Sequence, residues 1–151
     1  MRAVIQRVRA ASVTVDGKVT GSIEKGLLVY LGVCDADDGE TCMKLASKIA
    51  RLRIFEDAEG KMNLSVADIG GDVLVVSQFT LYAGLRKGNR PSFDEAGRPE
   101  LAERLYEVFM KDLEELGLKV EHGMFGAHMH VVYENDGPVT IIADSAQLFG
   151  K

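Results

Sequence analysis

The chain has 151 residues, 46% of them hydrophobic and 27% charged, which fits one globular domain and excludes a disordered chain. A net charge of −5 and a pI near 5.2 count against a protein that grips long nucleic acid through many Lys and Arg contacts, while leaving room for one that holds only an RNA end. Arg2, Arg7 and Arg9 interrupt any apolar run at the N-terminus, and the longest apolar stretches have strand length. Neither a signal peptide nor a membrane span is therefore expected, and the reading is a cytoplasmic protein.

Strand signals open the chain at Ala3–Val8 and recur at Ser12–Val15, which alternates polar with apolar before the Asp16-Gly17 turn. Val19–Ile23 continues them, and Gly26–Val33 is a short apolar run of the kind covered on both faces. Asp37 or Asp38 can cap a helix whose buried stripe is Cys42, Leu45, Ala46, Ile49 and Ala50. Arg53–Phe55 predicts a short strand ending at the Asp57–Gly60 turn, and Asp72–Phe79 is the clearest central strand. A polar loop rich in Gly, Arg and Asn runs from Ala83 to the neighbourhood of Arg98.

Pro99 suits the first turn of a second helix, with Leu101, Leu105, Val108, Phe109, Leu113 and Leu116 facing inward and Gly117 stopping it. Two strands, His128–Tyr133 and Val139–Ala143, flank Asp136-Gly137-Pro138, which spacing alone reads as a hairpin turn. Together these predict an α/β domain over residues 1–151 with a mixed sheet covered by two main helices. Cys34 and Cys42 form no C-x-x-C pair and fit two reduced thiols.

Common hydrolase and nucleotide motifs are absent: no G-x-S-x-G, Walker loop, G-x-G-x-x-G after a strand, or H-E-x-x-H. His128 and His130 share one face of a predicted strand and could hold a metal with His122 or Asp144, but no Cys or acidic cluster completes such a site. Surface strand residues are the preferred reading, with no metal and no cofactor. Ser77-Gln78-Phe79-Thr80 ends an apolar strand in hydrogen-bonding groups, at a position where α/β proteins place functional side chains. Arg86, Lys87 and Arg90 form a local basic patch in an acidic chain, suited to phosphate. A cis bond at Gly137-Pro138 would expose a backbone carbonyl able to line a pocket without a side chain.

In this order the segments closely resemble the D-aminoacyl-tRNA deacylase family. The resemblance runs from Met1–Val8 and Ala11-Ser12-Val13 through Ser77-Gln78-Phe79-Thr80-Leu81, Lys87–Phe93 and Phe125–Met129 to Asn135-Asp136-Gly137-Pro138-Val139-Thr140. Gly84-Leu85 stands where the family pattern has a more polar pair. The resemblance implies a three-layer α/β/β homodimer that removes D-amino acids from the 3′ end of tRNA without metal. It places the active site at the dimer interface, with Gly137 and cis Pro138 of one subunit entering the other's pocket to reject L-amino acids.

On that reading Ser77, Gln78, Phe79 and Thr80 form the catalytic segment, with Phe79 and Thr80 N–H groups facing the oxyanion. Phe79, Phe125, Ala127, Met129, Gly137, Pro138 and Thr140 contact substrate, and Arg86, Lys87 and Arg90 contact RNA. Thr80 has no base beside it in sequence, so assistance from the RNA's own 2′-OH is preferred to a Thr80 nucleophile. A Thr80 or Ser77 esterase with another substrate, and a non-catalytic module binding RNA ends, are the competing readings.

Overall fold

The computed structural model describes residues 1–150. Strand β1 (Arg2–Val15) runs unbroken through both predicted opening segments. Its neighbour on one side changes midway: β2 (Lys18–Ile23) pairs with Ala11–Val15, and β3 (Gly26–Gly32) pairs with Arg2–Val8, both antiparallel. Arg9 and Ala10, at the changeover, are exposed, which is why the alternation reads as two pieces.

Helix α1 (Gly39–Ala50) starts where the Asp38 side chain accepts from the Thr41 N–H at 2.8 Å, and its predicted stripe is buried throughout. The predicted strand at Arg53–Phe55 shifts and shortens to β4 (Phe55–Glu56), which pairs with β5 (Met62–Leu64) across the expected turn. Strand β6 (Asp72–Ser77) lies parallel to β3. It ends two residues earlier than predicted, because Phe79–Tyr82 winds into a short 3-10 helix. Helix α2 (Pro99–Glu115) leads to β7 (Val120–His122), a three-residue strand parallel to β6 that periodicity did not signal.

The inward face of α2 differs from the prediction. Ala102 and Tyr106 join Leu105, Phe109 and Leu113, while Leu101 and Val108 are only half-buried. Leu116 is exposed because it caps the helix; Gly117 beyond it takes φ +89° and ends the winding, as expected.

The C-terminal segment departs furthest from the predicted pair of strands. It is one strand, β8 (His130–Asp144), antiparallel to β1 along almost its whole length, with no hairpin. Gln6 lies opposite Thr140 and Val8 opposite Asn135, so five steps of β8 face two of β1 and Asp136-Gly137-Pro138 bulges out. Asn135 Nδ2 closes the bulge by donating to the Arg7 carbonyl (3.1 Å) and the Val139 carbonyl (3.0 Å). The buried Arg7 guanidinium donates to the carbonyls of Asp136 (2.9 Å) and Ile54 (2.8 Å). Gly and Pro mark a bulge as readily as a turn, and only the length of β1 decides between them. The chain closes with a short helix, α3 (Ser145–Phe149), absent from the prediction.

The sheet is therefore mixed, in the order β2-β1-β3-β6-β7 with β8 on β1. Alternation along β3 and β6 divides the interior. Leu27, Val29, Leu31, Val73 and Val75 face α1 and α2, while Leu28, Leu74 and Val76 join Val8, Val13 and Ile23 on the other side. That second core closes because the sheet curls like a barrel until β2 meets β7; a Cβ on Gly21 would lie 2.4 Å from the His122 carbonyl. The expected α/β class, mixed sheet and two covering helices are present. Among the described residues no helix is long and apolar enough to cross a membrane.

Candidate active cleft

In sheets with parallel strands, ligands bind beyond the strands' carboxyl ends. Here β3 and β6 end side by side. The Gln78 N–H extends their ladder to the Leu31 carbonyl (2.8 Å), after which the chain turns sharply into Phe79–Tyr82. Gly32 permits the turn: a Cβ there would sit 3.0 Å from the Gln78 carbonyl and 3.1 Å from Leu81 Cβ. Beside this turn opens a cleft of about 500 Å³. Its walls come from the ends of β3 and β6, from Ala96-Gly97, from the first turns of α2, and from the segment Phe125–Met129 that leads into β8.

Of the residues predicted from sequence, the cleft brings together Ser77, Gln78, Phe79, Phe125, Ala127 and Met129. Gly123 makes room for Met129, whose sulfur would lie 2.5 Å from a Cβ at that position. Thr80 is exposed beside the cleft and accepts a 2.5 Å hydrogen bond from Gln78 Nε2. Phe79 is 56% exposed and meets Phe93 edge-on, with ring centroids 5.0 Å apart. Leu81 N–H bonds to Gln78 and Ala83 N–H to Thr80, whereas the N–H groups of Phe79 and Thr80 have no acceptor among the described residues.

Gly137, Pro138 and Thr140 do not line this cleft. They lie on β8, Thr140 accepting from Gln6 Nε2 at 3.2 Å and Gly137 preceding a cis bond with φ +144°. Arg86, Lys87 and Arg90 lie on an exposed loop pinched at its base by reciprocal Gly84–Ser92 hydrogen bonds of 2.7 and 3.0 Å. The Phe93–Phe79 contact ties that loop to the cleft mouth.

Sequence reasoning missed Tyr106 and read His128 as a surface strand residue, yet these are the cleft's titratable side chains. Tyr106 donates to the Val75 carbonyl (3.1 Å), and burial raises its pKa far above the ordinary phenol range, so it is a fixed neutral wall. His128 lies just before β8 and touches the His130 ring edge-on (5.1 Å); its alternation with Met129 was the available signal. Among the described residues no three His, Cys, Asp or Glu side chains gather as a metal site. Asp144 is engaged by Arg2 at 2.8 Å and caps α3. Burial pushes the Cys42 thiol up to about 12, which leaves it unreactive.

An apolar cleft at a strand terminus, with a few amide and hydroxyl groups and no carboxylate in its walls, is suited to a largely neutral ligand. The chain belongs to the D-Tyr-tRNA(Tyr) deacylase family, whose model matches residues 4–144. It is 60% identical over 149 residues to the D-aminoacyl-tRNA deacylase of Thermotoga petrophila, covering 99% of this chain and all of that one. It is also 60% identical over 148 residues to that of Aquifex aeolicus, covering 98% and 100%. A solved structure described as c-Myc DNA unwinding element binding protein superposes with a TM-score of 0.89 at 42% identity, covering 95% of this chain and 98% of the other. One described as a probable eukaryotic D-amino acid tRNA deacylase shares the fold at a TM-score of 0.81 and 19% identity.

Proposed function

We propose that the protein hydrolyses the ester joining a D-amino acid to the 3′-terminal adenosine of tRNA, releasing the free amino acid and the tRNA. The observation that carries this reading is the cleft at the end of β6, where Gln78 and the unpaired N–H groups of Phe79 and Thr80 adjoin an apolar chamber. Ester hydrolysis develops an oxyanion, and preorganised backbone N–H groups are suited to receive it. Gln78 orients substrate or water, Ser77 adds a hydroxyl at the wall, and Phe79 and Met129 pack against the terminal base between Phe125 and Ala127.

Thr80 accepts a hydrogen bond from an amide nitrogen, which cannot take its proton, and no Asp, Glu or His hydrogen-bonds to its hydroxyl among the described residues. That favours attack by water assisted by the substrate's 2′-OH and weighs against a Thr80 nucleophile. Arg86, Lys87 and Arg90, on the loop beside the cleft, contact the RNA backbone.

Handedness is read across a dimer. The bulge at Gly137-Pro138 is exposed and braced by Arg7 and Asn135, far from filling its own chain's cleft. It enters the partner's cleft, presenting backbone to the substituents of the substrate's α-carbon, with Thr140 at its edge. The exposed apolar side chains Val132 and Ile142 on the same strand supply surface for that contact. The test is release of D-tyrosine from D-Tyr-tRNA by the purified protein in EDTA. Release is the expected result; none, or release only after zinc is restored, overturns the reading.

A further inference from the structure

A second cleft, of about 530 Å³, lies on the outer face of α1 and holds Lys44, Lys48, Arg51 and Arg53 above Leu52 and Phe149. Lys44, Lys48 and Arg51 follow one another at helical spacing, so their like charges repel. The negative end of α1 accounts for Lys48 in its last turn and for Arg51 at its cap, but not for Lys44 or Arg53. Glu40 offsets Lys44 at 2.6 Å, and Arg53 is aimed by a 3.0 Å bond from Nε to the Asn63 carbonyl. The chain carries −5 overall, so without these four cations the remainder carries −9. Concentrating positive charge in one cleft of an acidic protein fits a polyanionic ligand.

We propose that this cleft is a second RNA contact, taking backbone phosphates of the base-paired stem that follows the substrate's unpaired 3′ end. The proposal rests on the function argued above. Helix α1 packs against α2, whose first turns wall the first cleft, so the same helical layer contributes to both clefts. A duplex leaving the first cleft along that layer meets the cations of the second. Its regular phosphate rows suit a regular row of cations better than a flexible acidic peptide would.

The test is binding of uncharged tRNA from about 50 to 200 mM salt, where each phosphate contact contributes about 0.9 to the log–log slope. Lys44→Glu/Lys48→Glu/Arg51→Glu is expected to lower that slope by about 2–3 and to weaken binding at low salt at least tenfold. A CCA trinucleotide, which reaches only the active cleft, is expected to bind both forms alike. The three side chains are exposed, and Lys44→Gln/Lys48→Gln/Arg51→Gln should show a smaller loss in the same direction. An unchanged tRNA slope, or equal weakening toward CCA, overturns the proposal. So does binding to phosphatidylglycerol–phosphatidylcholine vesicles with no change toward tRNA. Because the readout is binding, absence of deacylation refutes the proposed function and leaves this measurement intact.

Discussion

Replacing Arg2 by Ala removes a clamp between the start of β1 and the turn that walls the candidate cleft. Arg2 Nε donates to Asp144 at 2.8 Å, Nη1 donates to the Leu81 carbonyl at 3.1 Å, and the guanidinium lies 4.5 Å from the Tyr82 ring centroid. Charged hydrogen bonds contribute about 1.5–3 kcal/mol each when desolvated. The side chain is 38% exposed, so the two bonds and the ring contact together come to roughly 2 kcal/mol after screening. For a domain of this size the melting temperature should fall by about 4–8 °C. Leu81 shares its turn with Phe79 and Thr80, so kcat should also fall, by about tenfold, with KM little changed. Arg2→Lys, which keeps the charge but not the fork, should give an intermediate result. Thermal melts beside steady-state kinetics decide: a lower melting temperature with unchanged kcat would show that the clamp serves stability alone.

Further outcomes follow from the same contacts. Gly137→Ala places a Cβ 2.7 Å from both Val139 N and Val139 Cγ2 at φ +144°. Local strain of about 1–3 kcal/mol is expected, with a fall in the ratio of D- to L-deacylation rates. Burial pushes the Asp144 carboxyl up, but the hydrogen bonds from Arg2 and the Ala146 N–H outweigh it and hold its pKa below the ordinary value. That contribution is therefore present above the unfolded carboxylate pKa of about 3.9 and is lost as pH falls through the lower folded value. Melts below about pH 4 should accordingly show a steeper decline for the natural protein than for Asp144→Asn. Thr80→Ala should slow deacylation by less than about 100-fold, whereas a loss near 10⁴-fold or an acyl group trapped on Thr80 would make it the nucleophile. Substrate ending in 2′-deoxyadenosine should be nearly inert.

Much of the site's wall was legible because its residues are contiguous. Ser77-Gln78-Phe79 and Phe125–Met129 lie at the ends of segments whose periodicity is plain, and the cleft forms where those segments stop. Tyr106 was not legible, since it reaches the cleft from a helix whose buried stripe runs through Ala102 and Tyr106 beside the large aliphatic positions that periodicity picks out. Strand β7 is three residues long and draws its pairing from β6, so no local pattern announces it. The bulge at Gly137-Pro138 reads as a turn because turns and bulges demand the same residues; what separates them is a 14-residue partner strand more than a hundred positions away. Buried contacts such as Arg7 with Ile54 and Asp136 are likewise fixed only by the packed chain.

The proposed activity is hydrolysis, in this cleft, of aminoacyl esters on tRNA according to the handedness of the amino acid. The direct measurement is a matched pair of single-turnover rates, D-Tyr-tRNA against L-Tyr-tRNA, with the same purified protein. Rapid release of D-tyrosine, with the L-ester decaying no faster than in buffer alone, is the predicted result. Comparable rates for the two esters, or faster release from the L-form, would contradict it.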